Sequence, residues 1–303
     1  MTDMTIFQKN LTEKLPNVEL RFDEPMSRHT SFRIGGPVAV MAFPKSAEEL
    51  AEILKVSALM DITPAILGAG TNVLAPDAGM DGLVICLKDC MGGMEQTGEN
   101  TIRVAAGVTM TRAAMFAANL GLSGLEFAHG IPGTVGGGVY MNAGAYGGEI
   151  KDVCVSVDVM DHNGSITRRT AEEMKFSYRH SVLEDEGGIV LSAEFALTPA
   201  SSEDVKARMK ELQAKRSAAQ PLDLPSAGSA FKRPVGGFAA ALIDQAGLKG
   251  YTVGGAGIST KHAGFAVNLG GATAADVQDL LRQVSDIVYE KSGIRLEPEV
   301  RIW

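Results

Sequence analysis

Apolar residues recur along this chain at two spacings, and the alternation between them lays out its elements. Ser46-Ala47-Glu48-Glu49 is a capping-box pattern that opens a helix, continued at helical spacing by Leu50, Ile53, Leu54 and Ala58. Residues 62–68 then read as a short buried strand and 82–87 as another. Thr101–Ala105 alternates as a strand, and Thr109 starts a helix that stops at Gly121. Residues 153–160 and 189–197 are both strand-like. Such interleaving argues for an α/β or α+β arrangement.

The pattern changes after Pro199. Residues 201–219 are charged and helical, with Val205, Met209 and Leu212 at i, i+4 and i+7. Two prolines in the following segment, Pro221 and Pro225, cannot continue that helix. A short apolar helix over 238–246 ends at Gly247. The longest amphipathic helix runs over 273–291, with Val277, Leu280, Leu281, Val284, Ile287 and Val288 on one side. At the C-terminus, period-2 alternation places Glu297, Glu299 and Arg301 on one strand face and Leu296, Pro298, Val300 and Ile302 on the other.

Composition narrows the function classes. A chain of 303 residues with 45% hydrophobic and 21% charged residues is an ordinary globular chain of about two domains. Net charge is −8 with no basic block, which ranks nucleic acid low as a partner. The N-terminus carries Asp3 and Glu13 and no long apolar run, so neither a secretory signal nor a membrane span is expected. Cys86, Cys90 and Cys154 form no metal or disulfide pattern, and the five histidines are scattered. No metal site and a reduced, cytoplasmic protein are the expectations.

The segment 129–148, HGIPGTVGGGVYMNAGAYGG, has eight glycines among twenty residues, interleaved with apolar side chains. A linker would carry nothing to pack. Two readings remain: a backbone cradle for a pyrophosphate, or tight turns in a β-rich region. A second glycine loop, LGAGTNVLAP over 67–76, fails the dinucleotide fingerprint, because Val73 holds the third glycine position and Pro76 follows where a helix should run. Gly68, Gly70, Thr71 and Asn72 still offer donors to phosphate.

Two glycine loops without a Rossmann helix resemble the flavin-binding fold of the vanillyl-alcohol-oxidase and para-cresol-methylhydroxylase type. HTSFRIGGP (29–37), GAGTNVL (68–74), GIPGTVGG (130–137), NAGAYG (142–147), SYRHS (177–181), AGSAFKRP (227–234) and LEPEVRIW (296–303) occur in this order. Together they are similar to the UDP-N-acetylenolpyruvoylglucosamine reductases of peptidoglycan synthesis, over residue 26 to the C-terminus. The resemblance implies an α+β fold with an N-terminal segment (1–32), a two-part FAD-binding domain (33–198), and a C-terminal α+β substrate-binding domain (199–303) ending in a catalytic strand. It also implies non-covalent FAD, NADPH as co-substrate, a UDP-sugar substrate, and a monomer or weak oligomer.

In that family an enolpyruvyl ether is reduced to a lactyl ether. Hydride passes from NADPH to FAD and then to C3, and negative charge develops at C2 and the attached carboxylate. The resemblance assigns Ser229 as the proton donor to C2. It assigns Arg179 to the carboxylate, for which a guanidinium is a matched planar fork, and Glu299 as the catalytic glutamate beside it. Cofactor binding falls on Gly68, Ala69, Gly70, Thr71, Asn72 and Val73 of the first loop. In the second it falls on Gly130, Ile131, Pro132, Gly133, Thr134, Gly136, Gly137, Asn142, Gly144 and Ala145. Tyr178, Lys232, Arg233, Lys261 and His262 are candidates for the substrate.

Three departures stand out. Ala69 replaces a frequent third glycine. SYRHS is followed by only a short polar segment, which resembles the shorter subtype lacking a tyrosine-bearing loop. Ala219 and Gln220 stand where many relatives carry a lysine. Two other readings compete: an oxidase or dehydrogenase of the same fold acting on an alcohol or hydroxy acid, with His129 as a possible flavin tether, and a nucleotide-binding regulatory protein without turnover.

Overall fold

The computed structural model describes residues 4–303; Asp3 lies outside the described residues. Its contacts divide the chain into two compact units. The first comprises 4–22 of the described residues with 40–69 and 82–215, and the second 23–39, 70–81 and 216–303. The last stretch of the second unit begins at Arg216, inside the helix Ser202–Ala219. Two short insertions, 23–39 and 70–81, belong with the C-terminal part, which a linear division of the chain does not foresee.

The first unit is built on a five-stranded antiparallel sheet. Its order is Ile166–Thr170, Cys154–Met160, Ile189–Ala196, Thr101–Ala105 and Met94–Gly98. The strand Ile189–Ala196 reads as nearly continuous apolar sequence because both its faces are covered. Val190, Ala193 and Phe195 join the core with Val157, Val159, Ile102 and the helix Met110–Asn119. Ile189 and Leu191 point to another core with Phe7, Leu11, Leu50, Ile53, Leu54, Leu83 and Ile85. The helix Ala47–Leu59 starts as its sequence predicts, with Ser46 accepting from the Glu49 amide at 3.2 Å. Its Glu49 carboxylate reaches back to the Lys45 amide at 2.7 Å, one residue outside the cap.

The second unit carries a four-stranded antiparallel sheet in the order Ser226–Ser229, Phe265–Asn268, Ala256–Ile258 and Thr252–Val253. The helices Ala239–Gln245 and Ala274–Ser292 share its core, where Ile243 meets Val277, Leu280, Leu281, Val284 and Val288. Thr273 and Asp276 form a capping box on the longer helix, and Gly293 ends it in the left-handed conformation. A further acceptor comes from Asp77, whose two carboxylate oxygens take the Ala274 and Ala275 amides at 2.8 and 3.2 Å. That carboxylate fixes the chain just beyond the first glycine loop to a helix terminus.

Two expectations are corrected. The segment 129–148 is not loop throughout: Val135–Tyr140 is a short helix capped by Thr134, whose hydroxyl accepts from the Gly137 amide at 3.4 Å. Three of its six residues are glycine, and packing overrides their poor helix propensity. A Cβ on Gly136 would stand 2.9 Å from the Ala106 side chain, so this turn of helix lies too close to its neighbour for any other residue. At the C-terminus only Arg301–Ile302 is strand. Leu296 and Val300 are buried while Pro298 and Ile302 are exposed, so the even alternation fails where the backbone leaves strand geometry.

Candidate active site

Gly68, in the part of the first glycine loop that belongs to the first unit, meets the second loop there. A Cβ on Gly68 would fall 2.6 Å from the hydroxyl oxygen of Thr134, a buried residue. Many amides of the second loop are engaged inside the protein. Gly130 N donates to Thr111 Oγ1, Ile131 N to the Ala128 carbonyl, Val135 N to Val108, and Gly136 N to Ala106. Among the described residues, the amides of Ala69, Gly70, Gly133 and Thr134 donate to no protein acceptor. Gly70 combines a left-handed φ of 62° with a path so close to the His29 carbonyl that a Cβ would lie 2.0 Å from its oxygen. Within the first unit, the unengaged amides of Ala69, Gly133 and Thr134, on stretches brought together at Gly68, fit the pyrophosphate of a dinucleotide. The engaged amides shape the loop instead.

Arg179 sits on a tight turn in the first unit. Ser177 and His180 exchange backbone hydrogen bonds at 3.0 and 3.2 Å, and Arg179 between them has a left-handed φ of 56°. The turn is joined to residues 140–144 at three points. Ser181 Oγ donates to the Tyr140 carbonyl at 2.8 Å, Asn142 Nδ2 to the Ser177 carbonyl at 2.9 Å, and Arg179 Nη2 to the Gly144 carbonyl at 3.3 Å. The guanidinium also lies over the half-exposed Tyr178 ring, 5.0 Å from its centroid. The guanidinium is half-buried, and its planar fork is the shape that matches a carboxylate.

Ser229 and Glu299 are brought together in the second unit. Between Ser226 and Ser229 the strand carries one residue more than its partner, with Gly228 at a φ of 76°. This bulge re-aims the Ser229 hydroxyl, which is exposed. The next residue, Ala230, accepts a backbone hydrogen bond from Glu299 N at 2.9 Å, and Phe231 bridges Pro298 antiparallel. On its other side Glu299 offers its carbonyl to Asn72 Nδ2 at 3.2 Å, while Arg301 N donates to the Asn72 carbonyl at 3.0 Å. Val73 and Leu74 then pair in parallel with Arg301 and Ile302. The first glycine loop thus grips the segment that carries Glu299.

The expected substrate residues have local partners. Lys232 pairs with Glu297, and Arg233 stacks over Phe238 at 4.4 Å. Lys261 Nζ donates to the Ser217 carbonyl at 2.7 Å. His262 Nδ1 accepts from Gly264 N at 3.0 Å, and burial holds its pKa below the usual histidine value, which keeps it neutral. Its loop lies beside the serine, because Ser229 pairs with Phe265 and Ala230 N donates to the Gly264 carbonyl. Burial pushes the thiols of Cys86 and Cys154 up to about 11 and about 12, which removes them as nucleophiles near neutral pH. Among the described residues no His, Cys, Asp and Glu cluster could hold a metal, and no helix is long and apolar enough to cross a membrane.

Sequence reasoning missed the linkages of Asn72, Asn142 and Ser181. Asn72 and Asn142 read as cofactor contacts and Ser181 only as a polar residue inside a motif, while the partners they take lie 35 to 227 residues away in sequence. No spacing rule reaches that far.

Comparison with known proteins adds to this geometry. Residues 38–170 match a family model described as an FAD binding domain, and residues 220–303 one described as UDP-N-acetylenolpyruvoylglucosamine reductase, C-terminal domain. The UDP-N-acetylenolpyruvoylglucosamine reductase of Agathobacter rectalis is 46% identical over 307 residues, covering 98% of both chains. That of Caldanaerobacter subterraneus is 45% identical with the same coverage. A crystal structure of UDP-N-acetylenolpyruvylglucosamine reductase from Thermus caldophilus superposes with a TM-score of 0.80 at 37% identity, over 95% of this chain and 99% of that one.

Proposed function

The chain belongs to the UDP-N-acetylenolpyruvoylglucosamine reductase family, and from that premise we propose that it reduces UDP-N-acetylglucosamine enolpyruvate to UDP-N-acetylmuramate in the cytoplasm, with FAD held non-covalently and NADPH as co-substrate. FAD, when bound, would supply the hydride chemistry that links NADPH to C3 of the enolpyruvyl group. The amides of Ala69, Gly133 and Thr134 would hold its pyrophosphate. Gly68 lets the first loop approach Thr134 closely enough for this, and Gly136 seats the short helix against Ala106.

The chain's own side chains handle charge and proton. Arg179 binds the substrate carboxylate and stabilises the negative charge that spreads onto it from C2. Ser229 donates a proton to C2. A serine hydroxyl is a weak acid, but the carbanion it meets is strongly basic, so placement matters more than acidity. Glu299, fixed through its backbone on both sides, supports proton delivery to the serine. Tyr178, Lys232, Arg233, Lys261 and His262 are the groups proposed to meet the UDP-sugar.

The single observation that carries this reading is the bulge at Gly228. It sets the exposed Ser229 at the end of a short strand, directly beside the segment bearing Glu299. The test is product analysis. Purified protein with NADPH and the enolpyruvyl substrate should give a product heavier by two hydrogens, and denaturation should release the flavin into the filtrate. Flavin retained on the denatured chain, or oxygen consumption with no reduced sugar, would favour an oxidase instead.

A further inference from the structure

We propose that Asn142 is a positioning residue for Arg179, tying the flavin-loop helix to the turn that presents the guanidinium. The proposal rests on the reductase reading and adds a residue to it. Sequence resemblance places Asn142 among cofactor contacts, but its side chain is wholly buried and fully engaged with protein. Both Nδ2 hydrogens are used: one donates to Glu149 Oε2 at 2.7 Å, the other to the Ser177 carbonyl at 2.9 Å. Its Oδ1 accepts from Lys151 N at 3.0 Å. A primary amide has two donor hydrogens, so none is left for a phosphate.

The position suits that role. Asn142 has a φ of 42°, a left-handed conformation that asparagine tolerates better than most residues. It lies two residues beyond the helix Val135–Tyr140, whose N-terminus is the second flavin loop. The carbonyl it grips, Ser177, also accepts from His180 N and closes the turn. Arg179 is held at a φ of 56° inside that turn. A non-glycine residue persists there only when its surroundings over-determine it. Ser177, Ser181 and the guanidinium are each anchored within residues 140–144, so a shift of this segment moves Arg179 with it.

Two variants separate folding from positioning. Asn142→Asp replaces both donors with an acceptor facing Glu149 and the Ser177 carbonyl. Adding Glu149→Gln returns a donor opposite Asp at 142, so the double variant rebuilds that link with reversed polarity and leaves the Ser177 link broken. In the FAD-loaded double variant, we expect flavin bleaching by NADPH at the wild-type rate. Reoxidation by the enolpyruvyl sugar should slow on the order of 10–100-fold, the effect of displacing a catalytic group by about 1 Å. Hydrogen exchange, a readout independent of turnover, should accelerate at the His180 amide on the order of 5–10-fold, as for a weakened hydrogen-bonded turn. Unchanged exchange at His180, or faster exchange with wild-type reoxidation, overturns the proposal. Wild-type enzyme that bleaches with NADPH and is not reoxidised by the sugar contradicts the reductase reading itself, and that result comes from a different sample.

Discussion

The turn that carries Arg179 and the segment that carries Glu299 are held by opposite means. Around Arg179 the decisive bonds come from side chains: Asn142, Ser181 and the guanidinium itself. Around Glu299 they come mostly from backbone, through Ala230, Asn72 and the pairing of Val73–Leu74 with Arg301–Ile302. One asparagine takes part in each, Asn142 at the Arg179 turn and Asn72 at the Glu299 segment. Asn142 makes three side-chain bonds, whereas Asn72 contributes one from its side chain and one from its carbonyl. A site held by backbone tolerates substitution of its reactive side chains without moving. A site held by side chains does not, so there a substitution tests position as much as chemistry.

This contrast orders the expected effects. Ser229→Ala, on the backbone-held side, should slow turnover by about 10²–10⁴-fold, the range for lost acid–base catalysis, while leaving thermal stability unchanged. A fall in melting temperature alongside the rate loss would show that this region, too, depends on its side chains. Arg179→Lys keeps the charge and loses the planar fork. The loss expected is on the order of 10–150-fold in kcat, matching the 1.5–3 kcal/mol of a hydrogen bond to a charged group. Steady-state rates equal to wild type would take Arg179 out of the reaction.

Smaller effects sharpen the comparison. Asn72→Ala removes one donor to the Glu299 carbonyl and should cost about 0.5–1.5 kcal/mol, at most roughly tenfold in the substrate step, with FAD retained through gel filtration. Loss of FAD would instead make Asn72 a cofactor ligand through its side chain. Thr273→Ala should lower stability by about 1 kcal/mol with no change in either half-reaction, measured by urea unfolding. The neighbouring Asp276 carboxyl is held below the ordinary carboxylate range by the Thr273 and Gly255 amides. A depressed folded pKa gives stability that is present above the unfolded value near 3.9 and lost as pH falls through the folded one. Asp276→Asn should therefore lie below wild type at neutral pH and converge with it in strong acid.

Much of this was legible in the chain. The caps at Ser46, Thr109 and Thr273 open helices where the sequence places them, because a cap is a local interaction. The α+β arrangement, the FAD-binding part and the family followed from ordered motifs whose residues all stand in this chain. What the sequence hid was non-local or overridden by packing. The glycine-rich helix Val135–Tyr140 forms because it is pressed against Ala106 and capped by Thr134, which glycine content argues against. The C-terminal alternation misled because the chain there forms one bridge at Pro298 and a two-residue strand at Arg301–Ile302 rather than one long strand. Insertions 23–39 and 70–81 join the second unit through contacts such as Asp77 with Ala274, nearly two hundred residues apart.

The central claim is that flavin reduction and substrate reduction are separable, and that only the second needs Ser229. Anaerobic mixing with NADPH, followed by the enolpyruvyl sugar, measures both on one sample by the flavin band near roughly 450 nm. The account predicts equal bleaching for wild type and Ser229→Ala, then rapid recovery of the band in wild type and slow recovery in the variant. Equal slowing of bleaching and recovery in Ser229→Ala would contradict it and make the serine a structural residue.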